Sequence, residues 1–91
     1  MYNTKEFIPT HVSTGTTTQV FTGKGILHSI VVNKTDSTVV TMYDGTNASG
    51  AIVGILKASV VEGVYEYDAV MAIGLYLTNG ASGDYTVMWT K

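Results

Sequence analysis

The sequence predicts an all-β fold: a single small antiparallel β-sandwich or jelly roll of about eight short strands. Threonine, valine, isoleucine and tyrosine are frequent, and these residues suit the half-buried surface of a pleated sheet. Turn signals that contain glycine recur at short intervals, which is typical of sandwiches and barrels. A chain of 91 residues has room for one domain.

We divide the chain into an N-terminal arm, residues 1–13, and a β-sandwich domain, residues 14–91. Pro9 has no N–H to donate to a sheet, so it confines any strand formed by Phe7 and Ile8 to a sheet edge. One alternative is an arm that orders on binding a partner. The other is that Phe7 and Ile8 begin the first strand of the same subunit.

The next three segments are predicted as strands over residues 16–22, 25–33 and 38–43. The second of them is apolar at successive positions, so we expect both of its faces to be covered. Only a short turn separates it from the third, which favours an antiparallel hairpin between the two.

The pattern of residues 51–61 is compatible with either a helix or a strand. Ile52, Ile55 and Leu56 have the spacing of one face of a helix. The segment is nevertheless rich in β-branched residues and contains Gly54 in its interior. We therefore predict a strand.

The last third of the chain is predicted to be extended over residues 64–71, 75–78 and 84–90. In the first of these segments, Tyr65 and Tyr67 fall on one face, and Glu66 and Asp68 fall on the other. We expect the other two to form a hairpin. In the final strand Trp89 shares a face with Tyr85 and Val87.

Composition excludes several classes of function. All five basic residues are lysine and the formal net charge is −2, so we expect no nucleic-acid partner. The absence of cysteine excludes disulfides and thiolate metal sites. The longest strongly apolar run, residues 69–77, is shorter than the roughly 20 residues that span a bilayer. The polar first residues do not resemble a secretory signal, so we expect no membrane partner and assembly in the cytoplasm.

No motif indicates catalysis, and we expect neither an enzyme nor a cofactor or metal site. His11 and His28 lack partners at metal-ligand spacing, and His28 is predicted to be a hydrogen-bonded structural residue. Glu66 and Asp68 share a strand face about 7 Å apart along the chain, which would suit a paired-acid hydrolase. An acidic, solvent-facing stripe is the simpler interpretation.

The amino-acid composition points instead to an interaction surface. Apolar residues make up 45% of the chain and charged residues only 13%, while a domain of this size buries little more than 60% of its surface. Aromatic residues and methionine are enriched at interfaces. We therefore predict a subunit that completes its burial against other chains. The candidate interface residues are Tyr2, Phe7, Ile8, Tyr65, Tyr67 and Trp89.

Five runs of the sequence share a pattern of short strands and turns: residues 25–33 (GILHSIVVN), 41–46 (TMYDGT), 65–68 (YEYD), 74–77 (GLYL) and 84–87 (DYTV). Together they resemble the small virion proteins of tailed bacteriophages, of the capsid decoration or cement type. The resemblance implies a non-enzymatic β-sandwich on the capsid surface of the virion. It would bind and stabilise the outside of the head shell, with the major capsid protein or other virion proteins as partners. The resemblance also implies a homo-oligomer, with a trimer favoured.

Two alternatives remain from the sequence. One is a phage tail, neck or fibre module, which would share the same fold and composition. The other is a small carbohydrate-binding β-sandwich, in which an exposed aromatic row of Tyr65, Tyr67 and Tyr76 would stack on sugar rings.

Overall fold

In a computed structural model, which describes residues 7–13, 17–80 and 82–91, the chain folds into antiparallel β-strands. Two four-stranded sheets pack face to face: sheet A, with strand order β1-β8-β3-β6, and sheet B, with order β2-β7-β4-β5. The predicted all-β sandwich is therefore confirmed. The strands are β1 (Ile8–Ser13), β2 (Thr17–Thr22), β3 (Gly25–Lys34), β4 (Val40–Asp44), β5 (Ala51–Leu56), β6 (Gly63–Met71), β7 (Gly74–Thr78) and β8 (Asp84–Thr90).

Strand pairing follows a nested order. β4 pairs with β5, β3 with β6, β2 with β7, and β1 with β8, all antiparallel. Two further pairings, β3 with β8 and β4 with β7, join these ribbons into the two sheets. A double ribbon wrapped into two sheets in this order is a jelly roll.

The core lies between the sheets and is built from alternate residues of the strands. In β7 and β8, for example, Leu75, Leu77, Tyr85 and Val87 are fully buried. Residues between them point to the outer faces, as the two-residue period of a strand requires. The buried apolar side chains are Val12, Phe21, Leu27, Ile30, Val32, Val40, Met42, Leu56, Val60, Met71, Leu75, Leu77, Tyr85 and Val87.

Register shifts change which residues face the core. In β3 the register shifts between Leu27 and Ser29, so Leu27 and Ile30 are both buried although they are three residues apart. A strict two-residue alternation would place Leu27 and Ile30 on opposite faces of the strand, and the register shift is what brings both into the core. In β5, Val53 is an extra residue relative to β4, which brings Ile52 and Ile55 to the same outer face.

Aromatic rings close the two open sides of the sandwich. On one side the ring of Trp89 stacks on that of Phe21, with centroids 4.8 Å apart. On the other side the ring of Tyr67, from β6, lies against Gly54 of β5. A Cβ at position 54 would lie 2.5 Å from that ring, so this close approach of the two sheets needs glycine.

The connections at one end of the sandwich meet around the buried carboxylate of Asp36. Asp36 Oδ1 accepts hydrogen bonds from Thr38 N at 3.1 Å, Thr38 Oγ1 at 3.0 Å and Ser82 Oγ at 3.3 Å. Its Oδ2 accepts one from Gly83 N at 3.2 Å. The carboxylate thereby ties the β3–β4 connection to the β7–β8 connection.

Asp44 has a similar role at the opposite end. At the end of β4, its Oδ2 accepts a hydrogen bond from Ala72 N at 3.0 Å, and its Oδ1 accepts from Ile73 N at 2.9 Å and Gly74 N at 3.3 Å. These bonds hold the β6–β7 turn, and they keep the pKa of Asp44 below its ordinary value.

Two features differ from the predictions, and one uncertain segment agrees with them. Residues 8–13, assigned to the N-terminal arm, form β1 and pair with β8, so the sandwich begins at Ile8 and not at residue 14. The two predicted hairpins are wrong, because the β3–β4 and β7–β8 connections each cross from one sheet to the other. The strand predicted within residues 51–61 is present as β5. Among the residues described, none belongs to a helix that could cross a membrane.

Candidate interaction surface

Among the described strand residues of sheet B, those that point outward include no charged side chain. Val40, Met42, Leu75 and Leu77 point inward, so the alternate residues of each strand and their cross-strand partners point outward. We call this surface the neutral face. Its residues are Thr17, Gln19, Thr41, Tyr43, Ile52, Ile55, Tyr76 and Thr78.

Cross-strand pairing arranges the neutral face in two rows. One row runs Gln19, Tyr76, Tyr43, Ile52 across the four strands, and the other runs Thr17, Thr78, Thr41, Ile55. The Tyr43 and Tyr76 rings are half-buried, with centroids 6.2 Å apart and planes tilted by 52°. Ile52 and Ile55 are 60% and 54% exposed. Such a contiguous apolar and aromatic surface differs from singly scattered apolar residues.

Gln19 anchors one end of the first row. Its Nε2 lies 2.8 Å from Phe21 O, 3.0 Å from Gly45 O and 3.1 Å from Leu75 O. The amide is thus directed at backbone carbonyls of its own sheet. The side chains that this row presents to the outside are therefore those of Tyr76, Tyr43 and Ile52.

The outer face of sheet A is charged. Glu66 and Asp68 are exposed on β6, between the exposed side chains of Val64 and Val70. Asp84, on β8, lies 2.9 Å from His11 Nε2. The two outer faces of the sandwich therefore have contrasting chemistry.

Hydrogen bonds hold Asp84 in place on that charged face. Asn33 Nδ2 donates to Asp84 Oδ1 at 2.9 Å. This bond, followed by the one to His11, lowers the pKa of the Asp84 carboxyl below its ordinary value.

Phe7 and His28 form a contact that fixes the start of β1. Their rings stack with centroids 4.1 Å apart and an interplanar angle of 10°. His28 Nδ1 lies 2.6 Å from Asp68 Oδ1, so His28 is hydrogen-bonded as predicted. Ile8 begins β1 and is 46% exposed. Tyr2, the other candidate in this part of the chain, lies outside the described residues.

Tyr65, Tyr67 and Trp89 make contacts within the subunit. All three are half-buried and pack against the core. Tyr65 Oη donates to Val61 O at 2.5 Å, and Trp89 Nε1 donates to Thr10 Oγ1 at 2.9 Å. Burial raises the pKa of Tyr67 above its ordinary value. These contacts already occupy the polar atoms of Tyr65 and Trp89.

The predicted aromatic row of Tyr65, Tyr67 and Tyr76 is wrong. Tyr65 and Tyr67 lie on the inner side of sheet A, whereas Tyr76 lies on the outer face of sheet B. The aromatic pair that the structure does show is Tyr43 with Tyr76. Tyr43, Ile52 and Ile55 were not among the candidate interface residues.

The predicted orientation of the acidic residues is confirmed, because Glu66 and Asp68 are exposed and Tyr65 and Tyr67 point inward. One of the two acids, Asp68, is bound by His28. Within residues 7–13, 17–80 and 82–91 there is no pocket beside them and no group of three potential metal ligands. No protein-family model, curated protein or solved structure matches this chain.

Proposed function

We propose that the protein is a non-enzymatic structural subunit of a phage particle, which decorates and stabilises the outside of the head shell. The neutral face is the observation that supports this proposal most. Charged residues are depleted and aromatic residues enriched at the centres of protein interfaces, and Tyr43, Tyr76, Ile52 and Ile55 together have this composition.

The fold adds weaker support by analogy. Jelly rolls include viral capsid domains, but they also include lectins and cupins. The major capsid protein or another virion protein is the proposed partner. The charged outer face of sheet A would then face solvent, since exposed carboxylates such as Glu66 are costly to bury without partners.

Binding to head shells tests the proposal. The Tyr43→Ala substitution removes an aromatic side chain from the centre of the neutral face, where a hot-spot residue contributes more than about 1.4 kcal/mol, or tenfold in affinity. We expect co-sedimentation with purified shells that lack the protein to weaken by about tenfold or more. Val70→Ala, on the outer face of sheet A, is the matched control and should bind as the unmodified protein does.

Equal binding by both variants would contradict the assignment of the neutral face. Failure of the unmodified protein to bind shells would contradict the decoration role and would favour a tail, neck or fibre position. Electron microscopy of labelled particles would then locate the subunit.

Carbohydrate binding is a second candidate, favoured by the Tyr43–Tyr76 pair beside the hydroxyl groups of Thr41 and Thr78. Aromatic faces can stack on sugar rings, and neighbouring hydroxyls can bond to theirs. A glycan array separates the two functions. Binding to a defined sugar that is lost in Tyr43→Ala would support this candidate, whereas a shell-binding subunit should show no dependence on sugars.

A further inference from the structure

Among the described residues, no strand pairs with the outer edge of β5, and the strand itself carries no charge. β5 forms the edge of sheet B and its sequence, AIVGIL, contains neither a charged residue nor proline. Its Ile52 and Ile55 are exposed on the neutral face. An edge strand of this kind presents free N–H and C=O groups to any other strand that can pair with them.

The other three edges carry features that discourage pairing. β1 contains Pro9, which lacks an N–H. β6 exposes Glu66 and Asp68. At the end of β2, Lys91 Nζ donates to Thr22 O, which places a lysine at that edge. Charges and proline are two of the usual means of protecting sheet edges, and β5 has neither; its one irregularity is the extra residue Val53.

We infer that a second copy of this chain pairs with β5, antiparallel across a two-fold axis, so that sheet B continues from one subunit into the next. Identical strands can pair in this way because an isologous contact places the same surface on both partners. The absence of charge on β5 means that two copies meet without like-charge repulsion. Two copies joined through sheet A would instead bring the carboxylates of Glu66 and Asp68 together.

The extra residue Val53 determines which side chains meet beside the axis. Because it turns Ile52 and Ile55 to the same outer face, the isoleucines of two copies form one apolar strip next to the new pairing. The two neutral faces then become a single surface twice as wide. Burial of the exposed isoleucines supplies a driving force that backbone pairing alone lacks.

This inference concerns the isolated protein and does not depend on shell binding. A two-fold contact produces a dimer as its smallest closed assembly, in contrast to the trimer that the resemblance implies. An unmodified protein that stays monomeric but still binds shells would overturn the inference and leave the proposed function intact.

Sedimentation equilibrium of the purified protein is the first test. We expect a monomer–dimer equilibrium below about 1 mM, and a dissociation constant raised by at least about tenfold in Ile55→Lys, which places a charge beside the axis. Val64→Lys is the matched control, because Val64 is 62% exposed on the edge strand of the other sheet. A monomer at all concentrations, a trimer, or equal effects of both substitutions would overturn the inference.

Amide hydrogen exchange of the unmodified protein is the second test, and it needs no variant. Amides of β5 should exchange more slowly at high than at low protein concentration, while those of β2, the other edge of sheet B, should not change. Dimerisation without protection of β5 would show that copies meet elsewhere, and would also overturn the inference.

Discussion

At the scale of single residues, the carboxylate of Asp36 orders two of the connections between strands. It is 1% exposed, and burial by itself would raise its pKa. The hydrogen bonds from Thr38 and Ser82 outweigh burial, so the pKa of Asp36 lies below its ordinary value. Burial raises the pKa of the neighbouring Tyr85 hydroxyl, and the negative charge of Asp36 raises it further. Asp36 is therefore charged and Tyr85 neutral at physiological pH.

Replacing Asp36 with asparagine should destabilise the fold. The asparagine amide would direct hydrogens at N–H and O–H groups that now donate to a carboxylate, leaving buried donors without acceptors. We expect the free energy of unfolding in urea at pH 7 to fall by about 1–3 kcal/mol. Glu66→Gln, a change of the same kind on an exposed residue, should alter it by less than about 0.5 kcal/mol. Similar effects of the two substitutions would contradict this role.

The same substitution should alter the pH dependence of stability. The folded-state pKa values of Asp36 and Asp44 are both lowered, so their stabilisation is complete above the unfolded-state pKa of about 3.9 and is lost as the pH falls through the folded-state values. The urea midpoint of the unmodified protein should thus decline below about pH 4, and less steeply in Asp36→Asn. Equal slopes in both proteins would show that Asp36 does not contribute to the acid transition.

At the scale of elements, register shifts explain why some patterns in the sequence were misleading. The spacing of Ile52 and Ile55, which resembles a helix face, arises because the extra residue Val53 turns both to one side of a strand. In β3, the shift after Leu27 has the same effect on Leu27 and Ile30. A regular alternation cannot predict such shifts, because they depend on the neighbouring strand. Segments without them, such as β8, followed the predicted alternation.

Gly54 links two elements from different sheets, and its substitution should be costly. In Gly54→Ala the new methyl group would overlap the Tyr67 ring, which must move out of the space between β5 and β6. Such overpacking costs about 1–3 kcal/mol, which a shift of the thermal midpoint would measure. In a Tyr67→Ala background the same substitution should cost much less, since the ring is gone. If Gly54→Ala lowers the stability of the Tyr67→Ala variant by the same amount, the effect comes from backbone conformation and not from the Tyr67 ring.

At the scale of the whole molecule, the sequence predicted where the strands lie in the chain better than which strands pair with each other. Turn signals and β-branched residues are local, and they located seven of the strands within a few residues. Pairing in a jelly roll is long-range, as in β1 with β8, so a short connection gives no information on whether its flanking strands share a sheet. The hairpins inferred from short connections were wrong for that reason.

The candidate surface was likewise only partly predictable. Composition predicted an interaction surface without locating it, and residue type drew attention to Tyr65, Tyr67 and Trp89. These three side chains point inward because their alternate positions in the strands face the core, and contacts such as that of Trp89 with Phe21 hold them there. The neutral face emerges only when Tyr43 and Tyr76, 33 positions apart in the sequence, become cross-strand neighbours.

The absence of charge on the outer face of sheet B determines how contacts made there respond to ionic strength. Screening by salt weakens attraction between charges, since the Debye length falls from about 10 Å at 0.1 M to about 3 Å at 1 M. Complexes formed through this face should therefore withstand a sodium chloride wash at about 1 M, and ammonium sulfate should strengthen them. Release of the subunit by sodium chloride alone would place the contact on the acidic side of the sandwich.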